Sequence, residues 1–188
     1  MAKFIIEHLE PKVYSWCVLE YAHISKRVGK GNLIFTNVAK GTIKLKNLGE
    51  IKKEGVKDLK LKRACILDPS AEKTLTPETA KQFDHFIFGG ILGDNPQRFR
   101  TKKELSSKLN FQKFNLGAKQ MSTDTAVIVC KKIVDGVNLD KLKFVEEYFV
   151  DEGKGLERIL PYRYLVEAGK VVFTPGLRKL LKKQSRIL

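Results

Sequence analysis

A core strand that passes without a break into glycines sets the strongest limit on how this chain can fold. Asp84-His85-Phe86-Ile87-Phe88 is aromatic and β-branched, and Gly89-Gly90-Ile91-Leu92-Gly93-Asp94 follows at once. In open α/β sheets, ligands sit outside the carboxyl ends of the strands. Glycines at such an end permit positive φ and let a flat ligand approach bare backbone. The spacing is not G-x-G-x-x-G, and no G-x-x-x-x-G-K-[ST] occurs, so dinucleotide and P-loop readings lose support. Taken alone, the loop is equally well read as a structural tight turn.

The flanking sequence alternates strand-like and helix-like segments. Lys3 to Leu9 reads as a first strand, and Pro11 suits the first turn of a helix. Val13, Trp16, Cys17, Tyr21, Ile24 and Val28 recur at three- and four-residue steps and form one apolar face, ended by Gly29-Lys30-Gly31. Asn32 to Val38 reads as a second strand, and lysine-rich 39–62 carries a short helix or strand around Leu48 to Ile51. Ala64 to Leu67 is a buried strand ended by Asp68-Pro69, and Thr76 with Pro77 opens a helix. Beyond the glycine loop, the pattern predicts a helix over Thr101–Leu109, a strand over Phe111–Leu116 and a Ser122-capped helix over Thr123–Val134. This alternation predicts an α/β domain with a largely parallel sheet. Residues 162–173 carry two apolar runs around Glu167-Ala168-Gly169-Lys170, a hairpin signal, and Thr174-Pro175 opens a basic terminal helix.

A second glycine-bearing loop, Asn115-Leu116-Gly117-Ala118-Lys119-Gln120-Met121-Ser122, joins a strand to the amino end of a helix. Free amides there await acceptors. Asp124, in the first helical turn, has a plain role in offsetting the helix dipole.

Composition narrows the classes further. A chain of 188 residues, 43% hydrophobic, is long enough for one domain with a real core. No apolar run approaches a membrane span, and the opening reaches Glu7 too soon for a signal sequence, so no membrane partner and a cytoplasmic location are expected. Cys17, Cys65 and Cys130 match no metal or redox spacing, and His8, His23 and His85 are scattered, so no metal site is expected. The formal net charge is +15. Excess of that size favours polyanions, nucleic acid above all. Lys40 to Arg63 form one patch, and Arg178, Lys179, Lys182, Lys183 and Arg186 another; a solvated lysine-rich surface is the plainer reading of each.

Together, F-D-H-F-I-F-G-G-I-L-G-D (Phe83 to Asp94) and N-L-G-A-K-Q-M-S-T-D-T-A (Asn115 to Ala126) resemble the signatures of a SPOUT methyltransferase family shared by archaea and eukaryotes. I-I-E-H at Ile5, Trp16 with Leu19-Glu20-Tyr21, I-L-D-P at Ile66 and P-Y-R-Y at Pro161 extend the match in order over nearly the whole chain. The resemblance implies a single SPOUT domain over residues 1–188, with 155–188 as an extension packed on it. It implies a trefoil knot, an exception to the rule against threaded chains. It also implies S-adenosylmethionine (SAM) as cofactor, held by Gly89, Gly90, Ile91, Leu92 and Gly93 on one side. Leu116, Gly117, Gln120, Met121, Thr123 and Ala126 would form the other. The eukaryotic type in that family methylates an arginine of a small-subunit ribosomal protein. A ribosomal protein, or ribosomal RNA beside it, is therefore the implied substrate.

Methyl transfer to arginine requires carboxylates to hold a cation of very high pKa and a route for its proton. Glu7, Glu20, Asp94 and Asp124 stand at or near matched motifs, and Glu7, Asp94 and Asp124 are the expected catalytic residues; His8 is a possible proton acceptor. Two rival readings stand: a SPOUT methyltransferase acting on ribosomal or transfer RNA, and a basic RNA-binding assembly factor without catalysis. Monomer and homodimer are both compatible with the sequence.

Overall fold

The computed structural model describes residues 1–93, 98–153 and 156–184. Its centre is a six-stranded, wholly parallel sheet. In chain order it is built from β1 (Lys3–His8), α1 (Ser15–Val28), β2 (Leu33–Thr36), α2 (Thr42–Leu45), β3 (Glu50–Ile51), β4 (Ala64–Leu67), α3 (Pro77–Ala80), β5 (His85–Gly90), β6 (Gln112–Phe114) and α4 (Thr123–Val134). The strands lie in the order β3-β2-β1-β5-β4-β6.

Alternation along the strands decides what each face meets. Phe4 and Ile6 of β1 join Phe86 and Phe88 of β5 beneath α1 and α4, packing on Tyr21, Ile24, Val127 and Ile133. The intervening Ile5 and Ile87 point the other way, into a smaller cluster with Val56, Ile66 and Leu105. Side chains two apart share a face of a strand, so both faces of the inner strands must be apolar. All three cysteines are buried free thiols.

Beyond the parallel sheet lies an antiparallel part, from β7 (Lys143–Val145), β8 (Tyr148–Gly153), β9 (Leu156–Leu160), β10 (Tyr164–Glu167) and β11 (Lys170–Val171) to α5 (Leu177–Gln184). The expected hairpin at Glu167-Ala168-Gly169-Lys170 is β10–β11, and β7 joins it as a third strand. Strands β8 and β9 form a separate hairpin. Val150, Leu160, Tyr164, Leu177 and Leu181 make a third apolar cluster that reaches Trp16 and Leu19 of α1. The C-terminal elements thus cover the side of α1 that the main sheet leaves free.

Two local expectations need correction, and one left open is settled. The first helix begins at Ser15 rather than near Pro11, with Tyr14 extended at its start. Residues 11–14 act instead as a link that seats Val13 in the core, and the Leu92 amide bonds Glu10 just before it. Residues 101–109 are not one α-helix: a π turn over Thr101–Leu105 gives way to a 3-10 turn over Ser106–Lys108. The tertiary bond from the Ser106 hydroxyl to the buried Asp68 carboxylate overrides local propensity there. In the lysine-rich segment, the residues near Leu48 to Ile51 are the edge strand β3, and the short helix α2 precedes them.

Candidate active site

The two glycine-bearing loops lie side by side at the carboxyl ends of β5 and β6. Between them is a pocket walled by Gly89 and Ile91–Gly93 on one side and by Leu116, Gly117, Gln120 and Met121 on the other, with Thr123 and Ala126 of α4 behind. Every residue expected to hold the cofactor lines this pocket except Gly90. Gly90 instead faces α1: a Cβ there would stand 2.4 Å from the Tyr21 hydroxyl and 2.8 Å from Ile6 Cγ2. Its bareness lets the helix close on the sheet. Gly90→Ala is accordingly expected to destabilise the fold by about 1–3 kcal/mol, as overpacking does. Gly31→Ala, where nothing lies within 4 Å, is the matched control in thermal denaturation. An unchanged melting temperature in Gly90→Ala would contradict that packing.

Each loop is pinned by identifiable bonds. In the second, the Asn115 side-chain oxygen accepts from the Gly117 amide at 2.9 Å and from the Thr74 hydroxyl at 2.9 Å. Gly117 then turns at φ +96°, a conformation suited to glycine. In the first, Glu10 accepts from the Leu92 amide at 3.0 Å and pairs with Arg100, which also holds Glu104. The segment before β10 clamps both: the Tyr162 hydroxyl donates to the Gly93 carbonyl at 2.9 Å, and the Arg163 amide donates to the Gln120 carbonyl at 2.8 Å. P-Y-R-Y is therefore a bridge across the mouth of the two loops.

The sequence reading missed the other walls. Leu67, Asp68 and Pro69 at the end of β4 line the pocket, as do Arg98 to Thr101. The I-L-D-P run was the available signal, because a proline-ended buried strand beside the glycine strand must bring its own carboxyl end to the same site. Asp68 is structural as well: it accepts from the Ser70 amide and hydroxyl, each at 2.8 Å, and from the Ser106 hydroxyl.

The expected catalytic carboxylates are not gathered here. Glu7 does not line the pocket; its carboxylate accepts from the Val56 amide at 3.0 Å and from the Thr36 hydroxyl. Asp124 is buried and fully engaged. One oxygen accepts from His23 Nδ1 and the Thr174 hydroxyl, each at 2.7 Å; the other accepts from the Ser122 hydroxyl at 2.7 Å and the Thr125 amide at 2.9 Å. Asp94 lies outside the described residues. His8 is buried against the Tyr21 hydroxyl at 2.9 Å, and burial lowers its pKa. Among the described residues, no cluster of three or more His, Cys, Asp or Glu is arranged to hold a metal.

A second cavity adjoins the first and shares Ile91, Leu92, Gly93 and Thr123 with it. Glu20 of α1 and Trp16 stand on its wall, facing Tyr162 and the end of β9. Glu20 accepts from the Trp16 indole at 2.6 Å, with Thr123 beside it on the cavity wall. Burial, and secondarily the neighbouring Asp124 charge, push its carboxyl up to about 8.

A parallel sheet with a pocket between two glycine-bearing loops at its carboxyl edge is the architecture of the SPOUT methyltransferases, and solved structures of that fold superpose on this one. The likeness extends to the dual-specific Trm10 from Thermococcus kodakaraensis, with TM-score 0.57, 16% identity, and coverage of 75% of this chain and 96% of that one. At that identity it concerns the fold alone. The nearer similarity is to yeast SFM1, an arginine methyltransferase whose crystal structure complexed with SAM matches with TM-score 0.88 and 35% identity, covering 98% of this chain and 92% of that one. The SFM1 complex with SAH matches with TM-score 0.86 and 35% identity over 96% and 94% of the two chains. Over full sequences, protein arginine N-methyltransferase SFM1 of Saccharomyces cerevisiae is 38% identical, covering 97% of this chain and 95% of its own. The family model "Protein arginine N-methyltransferase SFM1-like" matches residues 3–187. The chain belongs to that family.

Proposed function

We propose that this protein transfers a methyl group from SAM to an arginine side chain of a ribosomal protein. One observation carries the reading: the two loops that the family signature spans close on a single pocket at the carboxyl ends of β5 and β6. The lining suits the donor. Leu67, Phe88, Leu116 and Met121 offer apolar surface to a purine, the turns offer bare backbone, and Arg98 and Lys119 supply cationic groups for a carboxylate. When bound, SAM supplies an electrophilic methyl on a positively charged sulfur. The chain's part is to align the nucleophile and exclude water. The clamp by Tyr162 and Arg163 holds both loops at fixed separation for that purpose.

The net charge of +15 supports a substrate presented on or near ribosomal RNA. Lys44, Lys46, Lys53, Lys57, Lys60 and Lys62 are all exposed, as such a surface requires. The same charge favours a second reading, methylation of the RNA itself. The test is to incubate the purified protein with methyl-labelled SAM and ribosomal subunits from cells of its own source lacking the enzyme. Label removed by protease and recovered as methylarginine is the expected result. Label removed only by nuclease would transfer the assignment to RNA.

A further inference from the structure

Among the buried carboxylates, Glu7, Asp68 and Asp124 are each tied to backbone or hydroxyl groups of the scaffold. Glu20 differs from Glu7 and Asp124 in facing a cavity that shares a wall with the cofactor pocket. It differs from Asp68 in that, among the described residues, its carboxylate accepts a single hydrogen bond, from the neutral indole of Trp16. Among the described residues no cation is ion-paired with it, although the chain carries 36 lysines and arginines. A buried acid without a counter-charge, beside an open cavity, is matched by a cation that arrives as ligand.

We propose that Glu20 receives the guanidinium of the substrate arginine and takes its proton during methyl transfer, in the cavity formed with Trp16, Thr123 and Tyr162. The assignment rests on the arginine reading above. The rings of Trp16 and Tyr162 give the planar cation aromatic surfaces, and Leu160 with Ile159 gives its aliphatic stem an apolar wall. Thr123 lines both cavities, so the carboxylate and the pocket that would hold the methyl donor flank one residue.

The chemistry balances. As Glu20 accepts one guanidinium proton, the freed nitrogen lone pair forms the new N–C bond. The C–S bond breaks with its electrons going to sulfur, and the products are methylguanidinium and S-adenosylhomocysteine. Glu20 then yields its proton to solvent. In the free enzyme Glu20 is held protonated to about pH 8, chiefly by burial; a bound guanidinium favours the carboxylate and primes it as the base. The titratable and charged groups around it are Cys17 and Tyr21 on its own helix, Asp124 with its partner His23, Arg158 of β9, and Tyr162 and Tyr164 around β10.

Trp16 is the chain's single tryptophan and donates directly to Glu20, so its fluorescence reports the ionisation. With S-adenosylhomocysteine present, the wild type is expected to show a fluorescence transition near pH 8 that ethylguanidinium moves down by about a unit or more. Glu20→Gln should lack both the transition and the ethylguanidinium response. It should bind SAM within twofold of wild type by calorimetry and lose roughly 100-fold or more in kcat on hypomethylated ribosomal protein. Glu20→Asp, which keeps the charge, should restore the transition and part of the rate. Arginine methylation by Glu20→Gln at half the wild-type kcat/KM, or a persisting transition in that variant, would overturn the assignment alone. Wild-type labelling confined to RNA would overturn the arginine reading and this assignment together.

Discussion

Asp124→Ala is expected to destabilise the protein by about 3–5 kcal/mol, the cost of stripping a buried charge from its partners. Asp124 is 1% exposed and accepts four hydrogen bonds. Those bonds come from three parts of the chain: His23 in α1, Ser122 and Thr125 at the start of α4, and Thr174 just before α5. Truncation leaves the His23 and Thr174 side chains buried with no acceptor, and each orphaned group adds about 1–3 kcal/mol. Against a typical total of about 5–15 kcal/mol, that is a large share. Asp124→Asn keeps the shape but presents an NH2 to donors on one side, so an intermediate loss is expected. Urea unfolding followed by circular dichroism measures both, and an Asp124→Ala midpoint within error of wild type would contradict the network. The plain role of Asp124 at the helix start thus becomes a larger one: it locks the C-terminal elements to the parallel domain.

Glu20→Gln is expected to change stability in the opposite direction, and by an amount that depends on pH. Burial raises the folded-state carboxyl to about 8 from an ordinary value of 4.5. Below pH 4.5 both folded and unfolded chains hold the proton, and the site contributes nothing. Between 4.5 and 8 the unfolded chain releases the proton while the folded one keeps it, so wild-type stability falls as pH rises. Above 8 the folded carboxyl ionises too, and the difference stops growing. The glutamine variant has no such titration. Its stability relative to wild type should climb by about 1.4 kcal/mol per pH unit across that window, on the order of 3–5 kcal/mol in all. The slope is the measurement that matters, because the amide also exchanges an acceptor for a donor beside Trp16 and Thr123 and so shifts the whole curve. Denaturation midpoints at pH 5, 6, 7 and 8 that run parallel for the two proteins would contradict the raised value. A group that destabilises the empty fold and faces a cavity is what a functional site leaves behind.

The cofactor side of the site was largely legible in advance. Glycines after a buried strand and a capped helix after a second loop are local patterns that marked the two loops, and all but one of the residues that the family resemblance assigned to the cofactor line the pocket. The exception, Gly90, obeys the same rule for a different reason, since its missing side chain admits Tyr21 rather than a ligand. The side proposed here for the substrate was not legible. Glu7, Glu20 and Asp124 all sit beside matched motifs, and nothing in their immediate neighbours separates a carboxylate bonded to Val56 and Thr36 from one that faces a cavity. The hairpin of β8 and β9, which forms part of that cavity, went unread, though Tyr148-Phe149-Val150 before a glycine-bearing turn carries a strand signal.

Periodicity, strand ends and loop glycines decided the α/β class, the parallel sheet and the place of the cofactor pocket, because each depends on residues within a few positions of one another. The parting of the acids into scaffold and cavity groups, the clamp of Tyr162 on Gly93, and the pairing of His23 with Asp124 belong to the tertiary structure. They join residues 69 and 101 positions apart. Burial and electrostatic setting are properties of such long-range neighbours, so only the folded chain reveals that Glu20 is a buried acid beside a cavity.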